Sequence, residues 1–491
     1  MRSKISPDVI LPDRRITTFA PNRPEAMSIS FSNRPIANGN DAEESEANPN
    51  TKTIDLAGRR VTPGPNDSHP ARHPRWPEFQ PGTMKSKFGR RESVRTLSFI
   101  CGMALTAVWT AHAQLDPEPR QLLHLGVNQS LHDDGPQAHY LFYYWNMPNV
   151  PSTNRALRLV LAPAYLDGEL GLKGILGENT DLGLGVFGGG FAYNYDEVRR
   201  GNYFRRESFD GHGGGANVSL YHLFNPGGTV PLNGLVRATV DYRTFDSTDD
   251  TARNFAVPEN QPFVTLRTGF RWGGAEPTLF PRLAMEISGW YELEHRTDDG
   301  KYGFAGDRRL EPTSHRFFGR AQVNYTTPEW EHYMMVGLMG GAVLNADRFS
   351  AFRVGGALPF TSEFPLYLPG YFFGELSTKN FGLAYGLYSI PFGPSRQWNV
   401  TAIAGTALVD YVRGLEQPGH WNSGVGGGIG YTAKNRRWRT LVTTSYGIDA
   451  IRSNGRGGYN AGMMFQYNFG KTSFASDRAF EELRGARIPI R

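Results

Sequence analysis

Cysteine is all but missing from this chain: Cys101 is the single one among 491 residues. It falls inside a leader segment, so the mature part has no disulfide, no thiolate metal site and no cysteine nucleophile. Long apolar runs are missing too. No stretch reaches the eighteen or so apolar residues that a membrane-spanning helix needs. Charge is scarce, at 20% of residues, and its basic excess is confined to the leader. The first 113 residues carry 16 Lys+Arg and 11 Asp+Glu; of the chain totals of 52 and 47, 36 of each remain. A mature part without net charge offers no overall field for nucleic acid, which is excluded as a partner class. What the chain has instead is glycine, 58 residues, and aromatic side chains, 13%. A soluble enzyme of this length usually carries more charge and less glycine.

Met84 opens a segment laid out like a secretory signal peptide. Residues 84–95 are basic, 96–109 are apolar but short, and Thr110-Ala111-His112-Ala113 ends in the small-x-small pattern that signal peptidase reads. Cleavage is expected between Ala113 and Gln114. Ile100 stands where a lipoprotein box would need a small residue before Cys101. Residues 1–83 are rich in Pro, Asn, Arg and acids and have no apolar period. They read as a disordered extension or, preferably, as the product of a start codon assigned too early.

From about residue 121 one pattern repeats: roughly ten residues of alternation, then a turn rich in Gly, Asn, Asp or Pro. In 235–245, Val236, Ala238, Val240 and Tyr242 share one face; Arg237, Thr239, Asp241 and Arg243 share the other. In 263–272, Val264, Leu266, Phe270 and Trp272 oppose Arg267 and Arg271. In 283–294, Met285, Ile287, Tyr291 and Leu293 oppose Glu286, Trp290, Glu292 and Glu294, and in 316–325 Ala321 and Val323 oppose Arg320. A soluble sandwich also alternates. Here, however, the polar face carries two or three full charges per strand while the apolar face is aliphatic with rings near its ends. That is the arrangement for lipid outside and water inside. The fold class is all-β, a transmembrane antiparallel up-and-down barrel. About 16 strands are expected, from 121–130 to 459–469, including a single strand over 156–166 and one over 369–377. An even count places both ends in the periplasm of a Gram-negative outer membrane. The expected organisation is an extension at 1–83, a signal peptide at 84–113, a barrel at 114–469 and a charged periplasmic tail at 470–491.

The luminal charges change sign from strand to strand: Arg237, Asp241 and Arg243, then Arg267 and Arg271, then Glu286, Glu292 and Glu294, then Arg320. An acidic strand between basic ones can pair along the wall and narrow a pore; ordinary wet-lumen polarity explains the charges equally well. Residues 460–469 (NAGMMFQYNF) end the run. Asn460, Gly462, Phe465 and Tyr467 match a polar-x-Gly-x-x-apolar-x-apolar pattern, and Phe469 adds a terminal ring. This resembles the assembly signal on the closing strand of outer-membrane barrels, which implies the barrel assembly machinery as a partner during biogenesis.

Residues 352–376 read FRVGGALPFTSEFPLYLPGYFFGEL. Arg353, Gly355 and Gly356 are followed by Pro369-Gly370-Tyr371 and then Glu375. With the segments that follow up to 469, this stretch resembles the outer-membrane assembly-factor superfamily, the bacterial surface antigens that include BamA-like barrels and two-partner secretion transporters. In that family the sixth extracellular loop carries a Gly-Gly pair, an Arg-Gly-Phe/Tyr tripeptide and a following Glu. The resemblance implies a sixteen-stranded barrel, a loop six folded into the lumen, and help in export or insertion of a polypeptide client or lipid. Two departures stand out. The tripeptide's Arg is Pro369, and the Asp it would pair with on the thirteenth strand is missing from Ile403-Ala404-Gly405. Arg353 is the one candidate to substitute. Too few residues separate Gln114 from the first strands for the family's periplasmic repeat domains. A passive or gated pore and a lipid-modifying barrel enzyme are the alternatives.

No catalytic set, metal site or cofactor is assigned. Ser314-His315 lacks a partner acid. The residues His124, His132, Asp133, Asp134 and His139 are expected to form a polar periplasmic turn rather than a metal centre. Gly188–Gly190 and Gly426–Gly428 lack the Lys-Ser/Thr of a phosphate loop and suit tight barrel curvature. The expected surroundings are outer-membrane lipid and lipopolysaccharide.

Overall fold

The computed structural model describes residues 118–470 except 229, 275–282, 299 and 328. The expectations for the 1–83 extension, the signal peptide with Cys101, the cleavage point and the tail beyond Gly470 lie outside the described residues.

Alternation becomes strand along the whole described chain. The long strands are β1 Arg120–Ser130, β2 Ala138–Pro148, β3 Arg155–Ala162, β4 Tyr165–Leu172, β5 Thr180–Gly189, β6 Asp210–Leu223, β7 Leu232–Asp246 and β8 Gln261–Gly274. They continue as β9 Leu283–Arg296, β10 Thr313–Thr326, β11 Tyr333–Leu344, β12 Leu376–Phe392, β13 Trp398–Tyr411, β14 Trp421–Thr432, β15 Trp438–Arg452 and β16 Gly455–Asn468. Each pairs antiparallel with the next, and β16 returns to β1 in a register running from Leu122↔Asn468 to Ser130↔Asn460. The result is a closed 16-strand barrel. Closure leaves no row of unpaired backbone groups at an edge.

The count agrees with the expectation because two errors cancel. Residues 156–166 are not one strand: Pro163 and Ala164 turn the chain, and β3 and β4 are a hairpin. A proline inside an alternating run marks such a break. Residues 369–377 are not a strand up to Glu375. Gly370 sits at φ +80 inside a loop, and β12 starts at Leu376.

The two wall faces differ as the side-chain period of two requires. On β7, Val236, Val240 and Tyr242 are 46%, 57% and 50% exposed, whereas Arg237, Asp241 and Arg243 are 4%, 2% and 2% exposed. Outward Leu266, Phe270 and Ile287 continue the apolar outer wall. Near one rim Trp398, Tyr431 and Trp438 stand in a row, with ring centroids 4.8 and 5.0 Å apart. This is the rim of short turns, such as 393–397 and 433–437. The opposite rim carries the long connections 190–209, 247–260, 297–312 and 345–375.

Candidate functional site

The longest connection, 345–375 between β11 and β12, runs through the barrel interior. Its first part, Phe352–Val354, pairs with the start of β12. The chain then turns back on itself: the Leu368 N–H donates to the Gly355 carbonyl at 2.6 Å and the Gly356 N–H to the Phe372 carbonyl at 2.7 Å. The inward side chains of β1 and β16 hold this turn, Asn128 donating to the Gly356 carbonyl at 2.8 Å and Asn460 to the Tyr371 carbonyl at 2.6 Å. The Phe360 ring lies 4.6 Å from His124 on β1. On the far wall Phe364 lies 5.2 Å from Phe318 of β10 and 6.0 Å from Trp290 of β9. One loop thus reaches both sides of the lumen.

Half of the inner wall suits this loop. Val354, Phe364, Leu368 and Tyr371 are buried in one apolar cluster with Leu383 of β12, Ala407 and Val409 of β13 and Ala450 of β15. Burying each large side chain is worth about 1.5–3 kcal/mol against leaving it in water. The wall is also stripped of side chains where the loop passes. A Cβ on Gly424 would stand 2.0 Å from the Pro369 carbonyl oxygen, and one on Gly405 would stand 3.0 Å from Pro369 Cδ. Pro369 therefore lies against Gly405 and Gly424, and among the described residues no side-chain charge meets it there. The expectation of a charged inner face on every strand does not hold for β13. Ile403, Ala407 and Val409 point inward there and are buried.

The charge that fastens this loop comes from the wall. Arg452, at the end of β15, donates to Glu375 Oε1 at 2.9 Å and Oε2 at 3.0 Å, and both side chains are fully buried. It also donates to the Gly370 carbonyl at 3.2 Å and stacks on Phe372 at 3.7 Å. Glu375 in turn accepts the Phe372 N–H at 2.8 Å. Arg353 does not take this part. It binds the carbonyls of Asp196 and Gly374 and lies over the Tyr195 ring.

The other half of the lumen is charged. Glu286 is shared by Arg320 at 2.7 Å and Arg271 at 3.4 Å, and Glu292 contacts Arg316. Arg243 meets Asp241 at 2.7 Å and Glu294 at 3.0 Å, and Glu294 also meets Arg296 at 2.9 Å. Into this half the loop sends Glu363, which stands 3.1 Å from Arg267 and contacts Arg271. Burial alone would raise the Glu363 pKa; Arg267 and Arg271 outweigh it and hold the carboxyl well below the usual range. Its side chain stays 31% accessible, on the lumen side of a densely packed loop.

Above the lumen the long connections form a dome with its own core. Tyr195, Phe209, Phe245, Phe255, Phe263, Tyr302 and Leu310 are buried together, with Phe349 packed on them. Fully buried Glu197 binds Arg348 at 2.5 Å and lies 3.5 Å from Arg199 and 3.6 Å from Arg308. The hairpin 198–203 reaches across to β15, where a Cβ on Gly201 would stand 1.9 Å from the Ile451 carbonyl oxygen. Arg205 then pairs with Asp134 of the β1–β2 connection at 2.6 Å. A cleft of about 190 Å³ remains between dome and loop, lined by Arg243, Arg316, Arg353, Ser362 and Phe364 among others.

The remaining candidates are scattered. On β16 the side of Asn460 and Gly462 faces inward, and Phe465, Tyr467 and Phe469 face outward, with the last two rings 4.6 Å apart. Ser314 is buried on the inner side, whereas His315 accompanies Tyr291 at 2.9 Å. Of the N-terminal group, His124 stacks on Phe142, Asp133 binds Ser453 and Asp134 binds Arg205. Among the described residues no group of His, Cys, Asp and Glu could hold a metal ion. Glu363 and Arg452 were not anticipated. Glu363 is the one charged residue in 357–371, and a lone acid in so apolar a loop is a usable signal. Arg452 lay beyond the apparent end of its strand.

No protein family and no curated protein matches this chain. Among solved structures it is similar to CdiB from Acinetobacter baumannii, at 13% identity and a TM-score of 0.46 over 72% of this chain and 60% of that one. It is similar to CdiB from Escherichia coli at 12% and 0.46, covering 74% and 69% of the two chains. It is also similar to BamA from Haemophilus ducreyi lacking POTRA domains 1–3, at 9% and 0.43, covering 76% and 78%. The chain thus spans under two thirds of the first of these, and likeness at this level adds nothing to the argument from geometry.

Proposed function

We propose that this chain is a bacterial outer-membrane barrel whose loop 345–375 is a displaceable plug, and that it assists export or membrane insertion of a polypeptide or lipid. The apolar outer wall and its ring of Trp and Tyr support the membrane location. The observation that carries the functional reading is the apolar core inside the barrel. Leu368 and Tyr371 are fully buried against β12, β13 and β15, in a space that a diffusion pore would fill with water. Lipopolysaccharide and phospholipid are the surroundings this wall would take, and the assembly machinery is the partner that the closing strand would engage. The proposed role is not catalytic. A gated pore is the second reading, favoured by the charged half of the lumen.

The test is conductance in planar bilayers. A plugged barrel gives a small, flickering current. A large, steady open current from the intact protein would overturn the plug and favour the pore. The outer-membrane fraction should hold the protein as a heat-modifiable band, and recovery as a soluble periplasmic protein would end the membrane reading.

A further inference from the structure

We infer that Arg267 and Arg271 form an oxyanion-binding site in the lumen, occupied in this state by the plug's own Glu363, and that its external ligand is a multiply charged phosphate-type oxyanion. The inference rests on reading the loop as displaceable. Its first support is geometric. Arg267 and Arg271 lie four residues apart on one face of β8, roughly 13 Å along the strand, yet both guanidinium groups converge on one carboxylate. Wall and loop supply opposite charges: the cations are on the rigid sheet and the acid is on the movable segment.

The second support is an unmet requirement. Arg267 is 3% exposed, and none of its three guanidinium nitrogens makes a hydrogen bond. Its one close acid among the described ion pairs is Glu363 at 3.1 Å. Its neighbour across the β7–β8 ladder is Arg237, a like charge, and across the β8–β9 ladder it faces Glu292, which Arg316 also engages. Direct like-charge neighbours on a sheet repel. Arg237 is already engaged by Tyr221 and Ser219, each at 2.6 Å, and lies 3.8 Å from Glu169. Arg320 adds a donor, reaching the Glu363 backbone carbonyl at 3.0 Å.

The third support is the setting. Arg267 stands over Trp290 at 4.5 Å and near Phe318 and Phe364 at 5.3 and 5.4 Å. These rings flank the guanidinium plane, and a planar fork presenting parallel N–H groups suits phosphate or carboxylate oxygens. Arg267, Arg271 and Arg320 carry one positive charge more than Glu363 and Glu286 balance, and without Glu363 they match an anion with several oxygens. The cleft lined by Ser362 and Phe364 adjoins the Glu363 segment.

The experiment is calorimetric titration of the refolded full chain with pyrophosphate. Glu363→Ala empties the carboxylate's seat while Phe364, Leu368 and Tyr371 keep the loop docked, so the result does not depend on the plug moving. A second variant, deletion of 356–369, removes acid and loop together and opens the site fully. The expected result is at least tenfold tighter pyrophosphate binding by both variants than by the unaltered protein. That gain should vanish when Arg267→Gln and Arg271→Gln are added to either. If neither variant gains pyrophosphate binding while both keep their heat-modifiable band, the pair is a structural anchor for the loop and the inference is overturned. Failure of the plug reading shows elsewhere, in a steady open current from the intact protein.

Discussion

Replacing Arg452 by methionine should release the root of the plug. Arg452 makes two hydrogen bonds to Glu375 and a third to the Gly370 carbonyl, and it covers Phe372. Methionine preserves much of the packing and none of the charge. Glu375 would then be left fully buried with the Phe372 N–H as its remaining close donor. Removing one partner of a buried pair costs about 3–5 kcal/mol, which shifts the docked-to-undocked ratio by roughly 100- to 4000-fold. A thiol can read this ratio, because Cys101 is the chain's single cysteine. In a Cys101→Ser, Leu368→Cys background, residue 368 is shielded while the loop is docked, since Leu368 is fully buried. Maleimide labelling of the folded barrel should accelerate by about that factor when Arg452→Met is added, up to the rate of the free thiol. Adding Glu375→Gln as well should recover part of the protection, because no buried charge is then left alone. Labelling of Arg452→Met within threefold of its parent, or strictly additive effects of the two substitutions, would refute the argument.

Three further outcomes are expected. Gly424→Leu should expel the loop without unfolding the barrel, since even a Cβ there meets the Pro369 carbonyl at 2.0 Å; labelling at residue 368 should rise while the heat-modifiable band persists. Gly462→Asp with Phe465→Asp and Tyr467→Asp should abolish assembly, because carboxylates on the lipid face are costly; unchanged amounts of the triple variant in the outer membrane would dismiss the closing strand as a signal. The contribution of Glu363 to plug docking should survive acidification. Its folded pKa lies below its unfolded one, so the stabilisation is complete above the ordinary carboxyl range of about 4.3 and is lost only as pH falls through the depressed value. The difference in residue-368 labelling between the parent and its Glu363→Ala derivative should therefore be the same at pH 7 and pH 5, and its disappearance by pH 5 would count against the depressed pKa.

The outer wall was legible because its apolar side chains recur at every second position. Val236, Val240, Leu266 and Ile287 could be assigned to that face by counting. The inner wall obeys a weaker rule, since its partner varies. Away from the apolar part of the loop the inner face is charged, as at Arg237 and Glu286; where the loop's apolar part lies on it the face is Ile403, Ala407 and Val409, which alternation alone does not explain. Arg452 was missed for a local reason. The register of β15 against β16 shifts between Gly447 and Ile451, so alternation counted from Trp438 loses its phase before reaching residue 452. The dome was not legible at all. Its contacts join Tyr195, Phe255, Tyr302 and Phe349 from four different connections, and no local pattern links them. Glu375 was singled out from the sequence, but its partner was not: the expected loop cation Arg353 lies elsewhere, and the cation that meets Glu375 is Arg452 on the wall.

With loop 345–375 read as a plug, the hairpin 198–203, which reaches across to β15, would be a second door in series with it. The lower one is fastened by Arg452 to Glu375, and the upper one by Glu197 to Arg348 at the start of the plug's own connection. If both must be open at once, leakage follows the product of two small probabilities, and with either one removed it still stays as low as the opening probability of the other. Screens for leaky single substitutions would pass over both sets of residues, whereas pairing deletion of 356–369 with deletion of 198–203 should produce a leak far beyond the sum of the two. On that reading, anything crossing the barrel would have to engage both doors, or carry a grip for one that frees the other.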